Sequence, residues 1–200
     1  MKLGGRTRNE MLDNFNILLG VTGGVAAYKA VDLASKLTAA GAKINTAMTE
    51  NACRFVGPKS FEAVTNSTVF TDMWSTPEQF RFGHIALADW ADIVVVAPAT
   101  ANIIGKIAHG ICDDLLSTML CTCWPLIESG AVLVAPAMND KMWSNPAVQN
   151  NVETIRKMGI QMVGPVEGRL ACGTEGLGRM AEPQDIIEAI EKIASKITKA

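Results

Sequence analysis

Two residues of this chain have side chains suited to moving protons, and each lies in an unusual local sequence. His84 follows Gly83 directly before a predicted helix. Histidine titrates near neutral pH and is a common general base, although a lone histidine beside an apolar segment is more often structural. Cys172 lies between Ala171 and Gly173 in a glycine-rich loop. An accessible thiol in such a loop is either a reactive group or a residue that fills the loop.

The segment after the first predicted strand, residues 20–26, has the composition of a phosphate-binding turn. It contains Gly23 and Gly24, and a predicted helix follows it. Glycines let the backbone approach an anion closely, and a helix N-terminus offers unpaired N–H groups and a favourable dipole. The segment is neither a dinucleotide-binding GxGxxG nor a Walker loop, so it does not indicate NAD or ATP. A tight turn without a ligand is the alternative interpretation.

Two further segments place small or polar side chains directly after predicted strands. In residues 97–102, Thr100 and Asn102 are either helix N-caps or part of a surface of small side chains on which a flat ring can pack. In residues 136–143, Asn139 is either the first residue of an Asx-turn or a group that presents a donor and an acceptor to a ligand. Each segment leaves both interpretations open when it is taken alone.

Short apolar runs alternate with helical patterns along the chain. The apolar runs predict strands at residues 16–21, 43–48, 89–98, 131–135 and 160–163. Apolar residues three and four positions apart predict helices at residues 26–40, 51–55, 60–65, 101–108, 114–123, 145–157 and 182–199. This alternation predicts a single α/β domain of the Rossmann-like (flavodoxin-like) class, with a parallel sheet and helices on both faces. Such sheets bind ligands at the carboxyl ends of their strands, which is where the segments described above lie.

Two segments fall outside this alternation. Residues 164–180 are rich in glycine and have no period, and an aperiodic loop of that length in a compact domain is usually functional. Residues 1–14 have a polar composition without the apolar stretch of a secretory signal. We therefore expect a polar N-terminal leader at residues 1–14 and the folded domain at residues 15–200.

The composition of the chain excludes several classes of protein. Its 200 residues include 18 basic and 20 acidic ones, a net charge of −2, which does not suit a nucleic-acid-binding protein. Apolar residues make up 48%, enough for a substantial core, but no apolar run reaches the roughly 18 residues of a membrane span. Five scattered cysteines indicate a reducing, cytoplasmic environment, and with two histidines they provide no paired metal-ligand spacing.

Taken together, five segments resemble the flavin-dependent cysteine decarboxylases. They are residues 23–26 (GGVA), residues 97–102 (APATAN), residues 110–116 (GICDDLL), residues 136–143 (PAMNDKMW) and the loop around residues 171–173 (ACG). The cysteine loop narrows the resemblance to the branch that decarboxylates 4′-phosphopantothenoylcysteine to 4′-phosphopantetheine in coenzyme A biosynthesis. The resemblance extends from about residue 16 to the C-terminal helix.

The resemblance implies a lyase with FMN as its cofactor and assigns roles to individual residues. It implies cofactor-binding residues at Gly23, Gly24, Val25, Thr49, Asn51, Ala52, Thr100, Ala101, Asn102, Ala137 and Met138. It implies substrate contacts from Asn139, which would hold the carboxylate, and from Arg169, Ala171 and Met180 in the closing loop. His84 matches the catalytic histidine of these enzymes, and Cys172 matches their proton-donating cysteine.

The same resemblance implies a homo-oligomer, a trimer or a multiple of trimers, with the flavin and His84 brought together across a subunit interface. The expected partners are this small phosphorylated cysteine conjugate and other copies of the chain, and neither nucleic acid nor a membrane. Three alternatives remain at this point: a peptidyl-cysteine oxidative decarboxylase that produces an enethiol, a flavin-binding regulatory subunit, and a flavin prenyltransferase. The chain is either a stand-alone enzyme or the decarboxylase half of a bifunctional protein.

Overall fold

A parallel sheet forms the centre of the computed structural model, which describes residues 10–74, 83–171 and 173–197. Within these residues six strands pair in the order β3-β2-β1-β4-β5-β6. Their bounds are β1 Asn16–Val21, β2 Lys43–Met48, β3 Val69–Phe70, β4 Ile93–Ala99, β5 Val132–Pro136 and β6 Gln161–Met162. The order reverses between β1 and β4, and this reversal defines the switch point at which such sheets bind ligands.

Helices cover both faces of the sheet. Their bounds are α1 Ala27–Ala39, α2 Glu50–Cys53, α3 Pro58–Thr65, α4 Gly83–Trp90, α5 Ala101–His109, α6 Leu115–Thr122, α7 Trp124–Glu128, α8 Asp140–Trp143, α9 Pro146–Lys157 and α10 Pro183–Ala194. None of the helices in the described ranges is both long and apolar enough to cross a bilayer. The predicted α/β class, with helices on both faces of a parallel sheet, is confirmed.

The central strands are apolar on both sides because each face of the sheet meets helices. In β1, Ile17 and Leu19 belong to the core shared with α1 and α10, whereas Leu18 belongs to the core shared with α4, α5, α6 and α9. The residues of β4 alternate in the same way, and all seven of them are buried. Continuous apolar runs of this kind are typical of parallel strands buried on two faces.

The strand prediction for residues 89–98 is wrong at its beginning. Asp89 and Trp90 belong to α4, and β4 begins only at Ile93. Between them, the Asp92 carboxylate accepts a hydrogen bond from the Asn16 N–H at 2.8 Å, so this residue ties the start of β1 to the start of β4. Local periodicity does not reveal that contact, because its two residues are 76 positions apart.

Residues 164–180 were expected to form an aperiodic loop, and the structure instead contains an antiparallel hairpin there. Its strands are β7 Val166–Arg169 and β8 Glu175–Arg179, so β6 is not the last strand of the chain. Glycines at both strands weaken the alternating pattern from which strands are predicted.

The end of the expected leader packs onto the domain. Residues Glu10–Leu12 form a short 3₁₀ helix, and Leu12 is completely buried in the core that contains α1 and α10. The N–H of Asn14 donates to the carbonyl of Gly41. The folded part of the chain therefore begins several residues before residue 15.

Candidate active site

A cleft of about 930 Å³ lies beside the carboxyl ends of β1, β4 and β5 and is bordered by the β7–β8 hairpin. Its volume is in the usual range for small-molecule and cofactor sites. Eleven of the residues predicted from the sequence line it: Gly23, Gly24, Val25, Thr100, Ala101, Ala137, Met138, Asn139, Arg169, Ala171 and Met180. The fold thus brings together segments that are up to 157 positions apart in the chain.

Thr22 joins the two strands at the switch point, and sequence reasoning did not assign it a role. Its side-chain hydroxyl donates to the carbonyl of Pro98 at 2.7 Å and accepts from the N–H of Thr100 at 3.1 Å. Thr22 is 2% exposed, so both bonds are shielded from water. A hydroxyl residue at the end of a buried strand is the local signal that could have identified it.

The turn after β1 has room for an anion at the N-terminus of α1. Among the described residues, no side chain caps this helix: Ala26 occupies the N-cap position. A Cβ on Gly24 would have Thr100 Cγ2 at 3.7 Å as its nearest neighbour, so the cleft side of this glycine is open. A Cβ on Gly23 would lie 2.4 Å from the Cβ of Asn51, so the backbone there tolerates no side chain. The N–H groups of Ala27 and Lys29 donate to the carbonyls of Gly24 and Ala26, so the backbone of the glycine turn itself, at the positive end of the helix dipole, is the part suited to phosphate.

Thr49, Asn51 and Ala52 support the turn from behind rather than line the cleft. The Thr49 side chain accepts from the N–H of Ala52 at 3.3 Å and caps α2. Asn51 then packs against Gly23. These three residues lie next to the turn without lining the cleft of one chain, and their expected contact with the cofactor stays a prediction.

Small side chains line the cleft at the ends of β4 and β5. Thr100 occupies the N-cap position of α5, but within the described structure its hydroxyl makes no capping hydrogen bond. Ala101 and Ala137 line the cleft beside it, and small residues on both sides leave space for a flat ring. Asn102 is exposed and does not belong to the lining described here.

Asn139 is held in place from two directions. Its Oδ1 accepts the N–H of Lys141 at 2.9 Å, which caps α8 as an Asx-turn does. The preceding residue, Met138, donates its N–H to the carbonyl of Gly178 in β8 at 2.9 Å. Because the Asn139 oxygen is directed to the helix N-terminus, its amide nitrogen is directed elsewhere and is the donor end of the group. Asn139 therefore caps α8 and also lines the cleft, and its contact with a ligand stays a prediction.

Basic side chains line the cleft on the side of α1 and the hairpin. Lys29 Nζ contacts Glu182 Oε1 at 2.8 Å, and Arg179 contacts the same oxygen at 3.4 Å. The hydrogen bond from Lys29 is the main reason that the pKa of Glu182 is lowered. Lys29 and Glu182 are 153 positions apart, and sequence reasoning missed both. For Lys29, its position one turn after the glycine turn is the signal that could have found it.

A model of the flavoprotein family matches residues 6–195. The chain belongs to the flavoprotein family. The family membership confirms the resemblance identified in the sequence. The coenzyme A biosynthesis bifunctional protein CoaBC of Bacillus subtilis is 47% identical over 190 residues, which are 95% of this chain and 46% of that protein. CoaBC of Escherichia coli K12 is 41% identical over 172 residues, 86% of this chain and 41% of that protein. The chain thus spans about half the length of these relatives.

Solved structures of two similar proteins share the fold. A cysteine-to-serine mutant of PPC decarboxylase, complexed with pantothenoylaminoethenethiol, has a TM-score of 0.82 and 33% identity; the match covers 91% of this chain and 99% of that one. The FMN-binding protein AtHal3 has a TM-score of 0.79 and 34% identity, with 93% and 100% coverage.

The two predicted proton-transfer residues of this flavoprotein, His84 and Cys172, are not among the predicted residues found in the lining of the cleft. His84 is the second residue of α4, so it lies inside the helix and not before it as expected. It is half-buried beside α6, where its carbonyl accepts from the Thr122 hydroxyl at 3.4 Å. Within the described part of one chain, His84 is not among the residues that line the cleft. Cys172 lies outside the described residues, although its neighbours Ala171 and Gly173 line the cleft. The roles of both residues stay predictions.

No group of three or more histidine, cysteine or acidic side chains in the described segments is arranged to hold a metal ion.

Proposed function

We propose that this chain binds FMN and decarboxylates 4′-phosphopantothenoylcysteine to 4′-phosphopantetheine, a step of coenzyme A biosynthesis in the cytoplasm. The observation that carries the proposal is the convergence of the glycine turn, Asn139 and the cysteine-bearing hairpin on one cleft. Relatives named CoaBC and PPC decarboxylase support the same reaction.

The cleft fits FMN at both ends of that molecule. The phosphate would bind the uncapped N-terminus of α1 at Gly23, Gly24 and Val25, where backbone N–H groups and the helix dipole favour an anion. The ring would pack against the small residues Thr100 and Ala101. Bound FMN supplies a reversible hydride acceptor, so that the carbon–sulfur unit of the substrate can be oxidised before CO₂ leaves and reduced afterwards.

Asn139 would hold the substrate carboxylate without neutralising it. Its amide is a neutral donor whose orientation is determined by the cap on α8 and by the bond from Met138 to Gly178. A neutral donor orients a carboxylate but stabilises its charge less strongly than a cation would. The electron pair of the bond to the carboxyl carbon can therefore pass to the rest of the substrate as CO₂ leaves. Asn139→Asp would place a second carboxylate against the first, which costs several kcal/mol at low effective dielectric by the roughly 332/(εr) estimate.

Cys172 would donate the proton that completes the product carbon, because its two neighbours line the cleft. In the absence of that proton the product would keep its double bond as an enethiol. The ligand of the PPC decarboxylase mutant is named an ethenethiol, and that protein carries a serine in place of a cysteine. This pairing supports the assignment of the corresponding chemistry to Cys172. It also favours decarboxylation to the saturated thiol over a reaction that ends at the enethiol.

His84 would reach the cleft from another copy of the chain. His84 is not among the residues that line the cleft in the described part of its own chain, which supports an assembly in which a partner supplies it. Apolar side chains near it, including Ile85 at 45% exposure, are available for such a contact. We therefore propose a homotrimer or a multiple of trimers with His84 as the base or proton relay.

The purified protein should be yellow, with about one FMN per chain, and should release CO₂ from 4′-phosphopantothenoylcysteine to give a saturated thiol. A protein that cannot be reconstituted with FMN, or that decarboxylates a peptide with a C-terminal cysteine in preference, would contradict the proposal.

Mixed assemblies test the shared site. His84→Asn and Asn139→Asp should each abolish turnover while FMN stays bound. When the two inactive variants are refolded together, some sites would combine an intact His84 with an intact Asn139, and activity should return in part. Refolding each variant alone is the matched control. Absence of any recovery in mixed assemblies of normal size would contradict a site shared between copies.

A further inference from the structure

The geometry points to Lys29 and Arg179 as the subsite for the phosphate group of the substrate, with Glu182 as the internal anion that the phosphate replaces. This inference rests on the proposed function, because it assigns residues to one end of the proposed substrate. It concerns a part of the cleft that neither the glycine turn nor Asn139 occupies.

The charges that line the cleft are unbalanced. Among the described residues the lining contains three basic side chains, Lys29, Arg169 and Arg179, and one carboxylate, Glu182. The local excess of positive charge contrasts with the net charge of −2 for the whole chain. A cleft with surplus cations concentrates anions, and a phosphate monoester carries between about −1.5 and −2 charges at pH 7.

Glu182 keeps two of these cations directed toward a single point. Its Oε1 lies 2.8 Å from Lys29 Nζ and 3.4 Å from an Arg179 guanidinium nitrogen. The Lys29 side chain is only 13% exposed, so its charge is partly desolvated and depends on an anionic partner. One carboxylate neutralises one of the two charges, whereas a phosphate dianion would neutralise both.

The Arg179 side chain is 42% exposed and packs on one side against the backbone of the hairpin. A Cβ on Gly168 would lie 3.3 Å from the Arg179 guanidinium carbon, so the planar group packs across the glycine of the neighbouring strand β7. Arginine presents donors in a planar fork that matches phosphate oxygens, and lysine adds a compact charge beside it. The pair is thus preorganised for a tetrahedral dianion.

The phosphate of FMN and the phosphate of the substrate would then occupy separate places. The backbone of the glycine turn before α1 would serve the cofactor. Lys29 lies further along α1, on the side that contacts Glu182 at the start of α10. Asn139, which is neutral, serves the carboxylate end of the substrate. Lys29 and Arg179 are then the groups suited to the phosphate at the other end of the substrate.

The test compares two substrates on the FMN-loaded enzyme: 4′-phosphopantothenoylcysteine and the same molecule without its phosphate. Lys29→Gln and Arg179→Gln should each lower kcat/KM for the phosphorylated substrate about 10- to 100-fold, mainly through KM, as expected for a lost charge-assisted hydrogen bond. For the unphosphorylated substrate, kcat/KM should change less than about threefold by the same scale. Lys157→Gln is the matched control, because Lys157 pairs with Glu153 on α9 and does not line the cleft.

Inorganic phosphate provides an independent readout on the same enzyme. Wild type should bind it measurably in calorimetry, Lys29→Gln should bind it more weakly, and Glu182→Gln should bind it more tightly because the competing carboxylate is gone. FMN content and thermal stability of each variant show whether the protein has folded. The opposite signs for Lys29→Gln and Glu182→Gln distinguish a phosphate subsite from a merely structural ion pair.

Three results would overturn the inference: equal losses with both substrates, a selective loss of FMN from Lys29→Gln, or phosphate binding that the variants leave unchanged. If wild type releases CO₂ from neither substrate, the proposed function fails, and the phosphate titrations still decide whether the subsite exists.

Discussion

Gly178 provides the most direct test of whether the position of the Asn139 segment depends on the hairpin. Its carbonyl accepts the N–H of Met138 at 2.9 Å, and a Cβ at this position would lie 2.2 Å from the carbonyl oxygen of Met138. Such atoms do not approach closer than about 3 Å in folded proteins. Gly178→Ala therefore forces the hairpin and the end of β5 apart by about 1 Å.

That displacement has two energetic consequences. The hydrogen bond from Met138 would lengthen beyond the limit of about 3.2 Å, which costs about 1 kcal/mol, and residual overpacking would cost about 1–3 kcal/mol more. The free energy of unfolding should therefore fall by about 2–4 kcal/mol. Asn139, the next residue after Met138, would move by a similar distance, and a misplacement of about 1 Å in a catalytic arrangement costs about 100-fold in rate.

The assay combines urea denaturation with CO₂ release by the FMN-loaded protein. Gly178→Ala should retain FMN, since the turn at α1 is untouched, but lose about 100-fold in kcat/KM. Gly105→Ala is the matched control, because its Cβ would meet Asn151 at an ordinary 3.4 Å and alanine favours a helix. If Gly178→Ala turns over within about threefold of wild type, the argument that the hairpin positions Asn139 is refuted.

Three further predictions follow from the turn, the ion pair and the cysteine loop. Gly24→Ala should fold normally yet bind FMN about tenfold more weakly in a fluorescence titration. Gly23→Ala should instead lower the melting temperature, because a methyl group has no space there. Equal FMN affinity in Gly24→Ala and wild type would contradict the assignment of this turn to the phosphate. The bond to Lys29 lowers the pKa of Glu182. The stability that the ionised Glu182 contributes is therefore present above the ordinary pKa of 4.5 and is lost as pH falls through the lowered pKa. Melting temperatures of wild type and Glu182→Gln should differ at pH 7 and converge in acid. Cys172→Ser should still release CO₂ anaerobically but leave the flavin reduced and the product an enethiol, since a serine hydroxyl is a far weaker acid than a thiol of pKa about 8.5; normal turnover with oxidised flavin would show that Cys172 only fills its loop.

The sequence alone determined most of the sheet. The strands β1 and β2 have the bounds predicted from the sequence, because parallel strands buried on both faces are mostly apolar and turn residues follow them. The apolar stripe of α10 was likewise readable, since residues three and four apart on one helical face must meet the core. The motifs of the glycine turn and of the segment around Asn139 pointed to the correct family because their chemistry resides in short contiguous stretches.

Only the tertiary structure revealed the hairpin and its role as a wall of the cleft. The glycines of β7 and β8 interrupt the alternating pattern of side chains from which strands are predicted. Gly178 is nevertheless required, because the backbone of Met138 approaches it closely. The ion pair of Lys29 with Glu182 joins residues 153 positions apart. Thr22 acts through bonds to the end of a different strand. Local sequence determines what each segment can form, whereas contacts between distant segments depend on how the sheet orders its strands, and that order arises from packing of the whole chain.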